Sequence, residues 1–60
     1  MDIKIGSVIH YKFLFSNEES KVGLVYKIVK DNNFAYMLYI LTNNEKDIVP
    51  YSILDYTIIE

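Results

Sequence analysis

Between Val8 and Thr42 the chain alternates between apolar-rich segments and short polar clusters. Val8 to Phe15 places Ile9, Tyr11, Phe13 and Phe15 on one side and Val8, His10, Lys12 and Leu14 on the other, the two-residue alternation of a strand. Ser16-Asn17-Glu18-Glu19-Ser20 offers no apolar anchor and predicts an exposed loop. Lys21 to Lys30 reads as a second strand, with Val22, Leu24, Tyr26 and Ile28 on one face and Gly23, Val25, Lys27 and Val29 on the other. An isolated Gly23 within it predicts a bulge or a close backbone approach.

The pattern changes at Phe34 to Thr42, which is apolar on both faces. Phe34, Tyr36, Leu38 and Ile40 point one way, and Ala35, Met37, Tyr39 and Leu41 the other. Turn residues bound it, Asp31-Asn32-Asn33 before and Asn43-Asn44 after, so the stretch has strand rather than helix length. Asp31-Asn32-Asn33 predicts a tight hairpin that pairs it with Lys21–Lys30. Strands of small antiparallel sheets normally solvate one face. The second face here is covered either by sharp bending into the same core or by another molecule.

The flanks are shorter. Met1 to Ile5 alternates as a strand entry, with Ile3 and Ile5 on one side, and Gly6-Ser7 allows a bend. Residues Thr42 to Asp47 predict a turn, and Ile48-Val49 a short strand that Pro50 ends by removing a ladder donor. Tyr51-Ser52-Ile53-Leu54 suits one 3₁₀ turn, and Asp55 to Glu60 a last strand. These elements predict one all-β domain over residues 1–60: a small, closed, five-stranded barrel with a single 3₁₀ turn before its final strand.

That order resembles the small barrels of the Src-homology-3 type. Ile48-Val49-Pro50-Tyr51-Ser52-Ile53-Leu54 is similar to the Pro-x-x-Tyr-aliphatic turn before the last strand of that family. The position of the peptide-binding Tyr falls on Ile53, and the paired Trp residues and acidic loop of proline-peptide recognition are missing, so that activity does not carry over. Gly6-Ser7-Val8 and Lys21-Val22-Gly23-Leu24-Val25-Tyr26-Lys27-Ile28 resemble the paired glycine-containing strands of KOW-type barrels, which implies RNA binding. Their basic loop is replaced here by Asn17-Glu18-Glu19.

Composition narrows the function. With no Cys among 60 residues the chain has no disulfide to reinforce a small core, and at 52% hydrophobic it is richer in apolar residues than ordinary domains. Both facts favour a very apolar core and oligomerisation at once. No apolar run is long enough to span a bilayer, and residues 1–15 lack a signal-peptide pattern, so the expectation is a soluble cytoplasmic protein. The net charge of −2 is uneven: residues 1–30 carry five Lys against three acids, and residues 31–60 one Lys against five acids. Without Arg the chain lacks the planar fork that grips phosphates and guanine edges.

His10 is the only imidazole and has no orienting partner in the pattern; the Ser residues sit in turns, and no phosphate loop or metal-ligand spacing occurs. The expectation is a protein without catalytic, cofactor or metal site. It is read as an interaction module binding a protein partner, itself or a larger factor, through Met37, Tyr39 and Leu41 with Val25 and Val29 beside them. Its size, its acidity and an abundance of Ile, Lys, Asn and Tyr without Arg, as an AT-rich genome would encode, suit a phage or mobile-element inhibitor of a host factor. The alternative is a nucleic-acid binder using His10, Lys12 and Lys27, with Lys12 and Lys27 close together on adjacent strands and a surface Tyr for stacking.

Overall fold

Asn43 and Asn44 show how local chemistry builds this sheet. In a computed structural model describing residues 1–33 and 35–60, both take positive φ, 44° and 65°. Two consecutive left-handed residues make the hairpin turn whose twist matches that of the flanking strands, and Asn tolerates it better than most residues. The turn is therefore two residues long, where the sequence predicts Thr42 to Asp47. Pairing resumes at once between Thr42 and Glu45, so the fourth strand gains Glu45, Lys46 and Asp47.

The strands are β1 (Val8–Phe13), β2 (Lys21–Lys30), β3 (Tyr36–Thr42), β4 (Glu45–Pro50) and β5 (Leu54–Ile58), with one 3₁₀ turn at Tyr51–Ile53. They form one antiparallel sheet in the order β4-β3-β2-β1-β5. The all-β class, the five strands and the single 3₁₀ turn are as the pattern predicts, and the order is compatible at the level of topology with a Src-homology-3-like fold. The expectation for Phe34 lies outside the described residues. Asp31 organises the β2–β3 connection: its carboxylate accepts the N–H groups of Asn33 (2.8 Å) and Ala35 (3.0 Å).

Closure differs from expectation. Among the described residues no ladder joins β4 to β5, so the sheet is curled rather than closed. Its curl is visible in one contact, the Tyr11 hydroxyl donating to Asp47 Oδ2 at 2.7 Å. Tyr11 lies on β1 and Asp47 on β4, three strand spacings or roughly 14 Å apart in a flat sheet whose side chains stand perpendicular to it. They meet only because the sheet bends around its own inner face. Lys21 Nζ completes the cluster at 3.3 Å from the same carboxylate oxygen.

The inner face holds Ile3, Ile9, Tyr11, Val25, Leu38, Ile40, Val49 and Leu54, with Ile28, Tyr51, Tyr56 and Ile58 packed against them. Thr42, also buried, satisfies its hydroxyl by donating to the Val22 carbonyl at 2.7 Å. Gly23 is where the sheet is tightest: a Cβ there would lie 2.4 Å from Ile40 Cγ2 and 3.1 Å from both the Leu41 carbonyl and the Tyr11 ring. Of the two roles the sequence allows for this glycine, close approach is the observed one.

The bulge lies further on. Val25 pairs with Ile40 and Lys27 with Tyr39, so Tyr26 is the extra residue. An inserted residue reverses the in–out parity of everything after it. Gly23 and Val25 face inward before the bulge and Ile28 after it, while Lys27 and Val29 face outward. This corrects both faces predicted for β2. Val25, expected on the partner-binding face, is fully buried in the core.

Two further expectations change. Residues 1–7 form no strand: Ser7 donates its N–H to the Lys4 carbonyl at 3.0 Å and Gly6 takes a φ of 97°. That turn sends Ile3 into the core and leaves Ile5 66% exposed. β1 ends at Phe13 rather than Phe15, because the pairing with β5 stops at Leu54 and the Leu14 N–H turns to the Ile53 carbonyl at 2.7 Å. Phe13 and Phe15, predicted to share a face with Ile9 and Tyr11, are 39% and 85% exposed.

Candidate functional interface

Side chains that the bulge turns outward meet those of β3 and β4 on the convex side of the sheet. Leu24 pairs with Leu41, Val29 with Met37, and Lys27 with Tyr39; across the next ladder Tyr39 faces Ile48 and Met37 faces Pro50. Leu24 is 39% exposed, Leu41 42% and Ile48 55%, and Met37, Tyr39 and Val29 are half-buried among them. The face is continuous over three strands, about 250 Å² in plan.

Tyr39 sits at its centre and is held in place. The Tyr26 ring packs against it edge-on with centroids 6.1 Å apart and planes at 69°, and Lys27 Nζ lies 5.1 Å from its centroid. Edge-to-face packing and a cation over the ring both restrict the side chain before anything binds, which lowers the entropy lost on association. The outward positions of β2, β3 and β4 include no acid, and their only charged residues are Lys27 and Lys46.

Of the five residues predicted for partner binding, Met37, Tyr39, Leu41 and Val29 come together here and Val25 does not. Ile48, Leu24 and Tyr26 join them unpredicted. Leu24 and Tyr26 are misplaced by an unbroken two-residue alternation, and the bulge that reassigns them has no signal in the residues around Tyr26. Ile48 follows from the longer β4, which the Asn43-Asn44 pair signals once it is read as a two-residue turn.

The three residues of the nucleic-acid alternative do not cluster. His10 is exposed between Val22 and Thr57, Lys12 lies opposite Asp55, and Lys27 lies opposite Tyr39. Tyr11 pairs with Lys21, so Lys12 sits one step beyond, and Lys27 is six residues further along β2 from Lys21. The separation is roughly 20 Å along the strand. The predicted proximity of Lys12 and Lys27 is thereby corrected: antiparallel register places them toward opposite ends of β2.

Two other features complete the surface. A shallow recess under the β1–β2 loop is lined by Tyr11, Lys12, Phe13, Ser16, Glu18, Glu19 and Lys21. Near the N-terminus Tyr56 donates its hydroxyl to the Asp2 carboxylate, and Tyr51 Oη lies 3.1 Å from Tyr56 Oη. Since the Tyr56 proton is committed to Asp2, Tyr51 is the donor of that second bond. The Tyr56 hydroxyl holds the Asp2 pKa below the ordinary carboxylate value, and reciprocally the Asp2 bond pushes the Tyr56 pKa up. Among the described residues no three His, Asp or Glu side chains are grouped to hold a metal ion, and no helix is long and apolar enough to cross a membrane. Comparison with protein-family models, with curated proteins and with solved structures finds no match for the chain.

Proposed function

We propose that the protein is a non-catalytic interaction module of Src-homology-3-like fold whose outer β2–β3–β4 face binds a protein partner, itself or a larger factor. The observation that supports this reading is the three-strand apolar face centred on a pre-positioned Tyr39, with no acid at the outward positions of β2, β3 and β4. Tyr and Met are favoured at protein interfaces, and burying such a surface supplies the main driving force of association. The size, acidity and composition of the chain fit a cytoplasmic phage or mobile-element protein that inhibits a host factor by occupying one of its surfaces.

Tyr39→Glu and Met37→Glu test the face. Both positions are half-buried on the outer side and away from the core, so far-UV circular dichroism is expected to be unchanged. Solution mass and capture of bound protein are expected to fall to the monomer level. Folded variants that associate and capture as the unmodified chain does would reject the site. A KOW-like role is the competing outcome. Oligonucleotide binding that is strong at low ionic strength and weakens steeply with salt, unchanged by Tyr39→Glu, would replace this reading with nucleic-acid recognition.

A further inference from the structure

The end of β1 and the start of the β1–β2 loop expose three apolar residues in succession, Phe13 at 39%, Leu14 at 50% and Phe15 at 85%. Such a run on a surface harms solubility unless it is used. It is also held in shape: the Leu14 N–H donates to the Ile53 carbonyl at 2.7 Å, the Ser16 N–H to the Phe13 carbonyl at 3.1 Å, and the Glu18 N–H to Ser16 Oγ at 2.9 Å. Glu18 and Glu19 come three and four residues after Phe15, both exposed, with no ion-pair partner among the described residues. The loop is therefore an apolar tip beside two unpaired carboxylates, with Lys12 and the Asp47-paired Lys21 lining the same recess, and the outer face is an apolar platform beside two positive charges, Lys27 and Lys46.

We propose that the Phe13–Phe15 tip of one copy docks on the outer β2–β3–β4 face of a second copy, with Glu18 and Glu19 set against Lys27 and Lys46. The inference rests on the reading of that face as a docking surface and names its occupant. Charge complementarity selects a second copy, because the same chain carries both an acid-flanked apolar knob and a lysine-flanked apolar platform. The two surfaces differ, so a single knob-on-platform contact is heterologous: the dimer it makes keeps one free knob on one copy and one free platform on the other, and association continues past the dimer as concentration rises.

The experiment is complementation, read by sedimentation or light scattering up to about 1 mM chain, the concentration at which even millimolar affinity registers. The unmodified chain is expected to grow beyond dimer mass, less so at high salt, which screens the exposed charges. A loop variant, Leu14→Ser with Phe15→Ser, and a face variant, Tyr39→Glu, are each expected to be folded monomers alone. Mixed in equal amounts they are expected to form a dimer and stop, since only one intact knob and one intact platform remain per pair. A monomeric unmodified chain, or variants that do not complement, overturns the proposal. If the loop variant still self-associates while the face variant does not, the platform reading survives and the knob is refuted. If neither variant reduces association, both readings fail.

Discussion

The hydrogen bond from Tyr11 to Asp47 spans the curl of the sheet, and removing it measures how much that curl depends on a polar strut. Tyr11→Phe keeps the buried ring and deletes only the hydroxyl that donates to Asp47 Oδ2 at 2.7 Å. A hydrogen bond to a charged acceptor contributes about 1.5–3 kcal/mol. The Asp47 side chain is 22% exposed and keeps Lys21 at 3.3 Å, so the carboxylate is not stranded and the lower end applies, about 1.5 kcal/mol. A domain of this size has only about 3–5 kcal/mol in total, so the loss is a large fraction. In urea, with a slope near 1 kcal/mol per molar for small domains, the midpoint is expected to fall by about 1.5 M. The thermal midpoint should fall by roughly 6–12 °C. Asp47→Ala and the double variant close a thermodynamic cycle that separates the bond from the loss of the Lys21 pair. A Tyr11→Phe midpoint indistinguishable from that of the unmodified chain, with no coupling in the cycle, would refute the strut and leave apolar packing alone to bend the sheet.

Three further outcomes are expected. Gly23→Ala places a methyl against Ile40 Cγ2 and the Leu41 carbonyl, and overpacking of this kind should destabilise by about 1–3 kcal/mol in the same urea assay; an unchanged midpoint would mean that β3 shifts freely. Asn44→Val puts a β-branched residue at a φ of 65°, with an expected loss of about 1–2 kcal/mol, while Asn44→Gly should match or exceed the unmodified chain. Burial, and secondarily the Asp47 bond, push the Tyr11 pKa up, so the folded state holds the Tyr11 proton more tightly than the unfolded chain does. The stabilisation is complete below the unfolded tyrosine pKa near 10 and is lost as pH rises beyond it. Denaturation midpoints measured from pH 8 to 12 should fall along an alkaline limb that Tyr11→Phe makes shallower, and an identical limb in both proteins would contradict the assignment.

Much of the architecture is legible in residue order because it rests on local chemistry. Alternating apolar positions mark β1 and β2, and a short apolar run between turn residues marks β3; Pro50 ends β4; and Tyr51–Ile53 is too short for anything but one 3₁₀ turn. The shortage of polar positions on β3 already implies a face in need of cover, and Met37, Tyr39 and Leu41 do lie on the outer side. Where the two readings part, the deciding contact is far away in sequence. Nothing near Tyr26 marks it as the bulged residue; its place follows from Val25 pairing with Ile40 and Lys27 with Tyr39. That single inserted residue moves Val25 to the core and gathers Val29, Lys27 and Tyr26 around Tyr39.

The same reasoning covers the ends of the chain. Phe15 continues the alternation of Ile9 and Tyr11 yet lies 85% exposed, because alternation sets which way a side chain points and a neighbouring strand must still be there to cover it. Ile3 and Ile5 look equivalent until the turn at Gly6 sends one inward and the other out. Strand identity and turn chemistry are encoded within a few residues, where φ preferences and apolar spacing act. Register, parity beyond a bulge and the extent of each ladder are set by pairing between distant segments, and those pairings decide which apolar side chains the core covers and which are left for a partner.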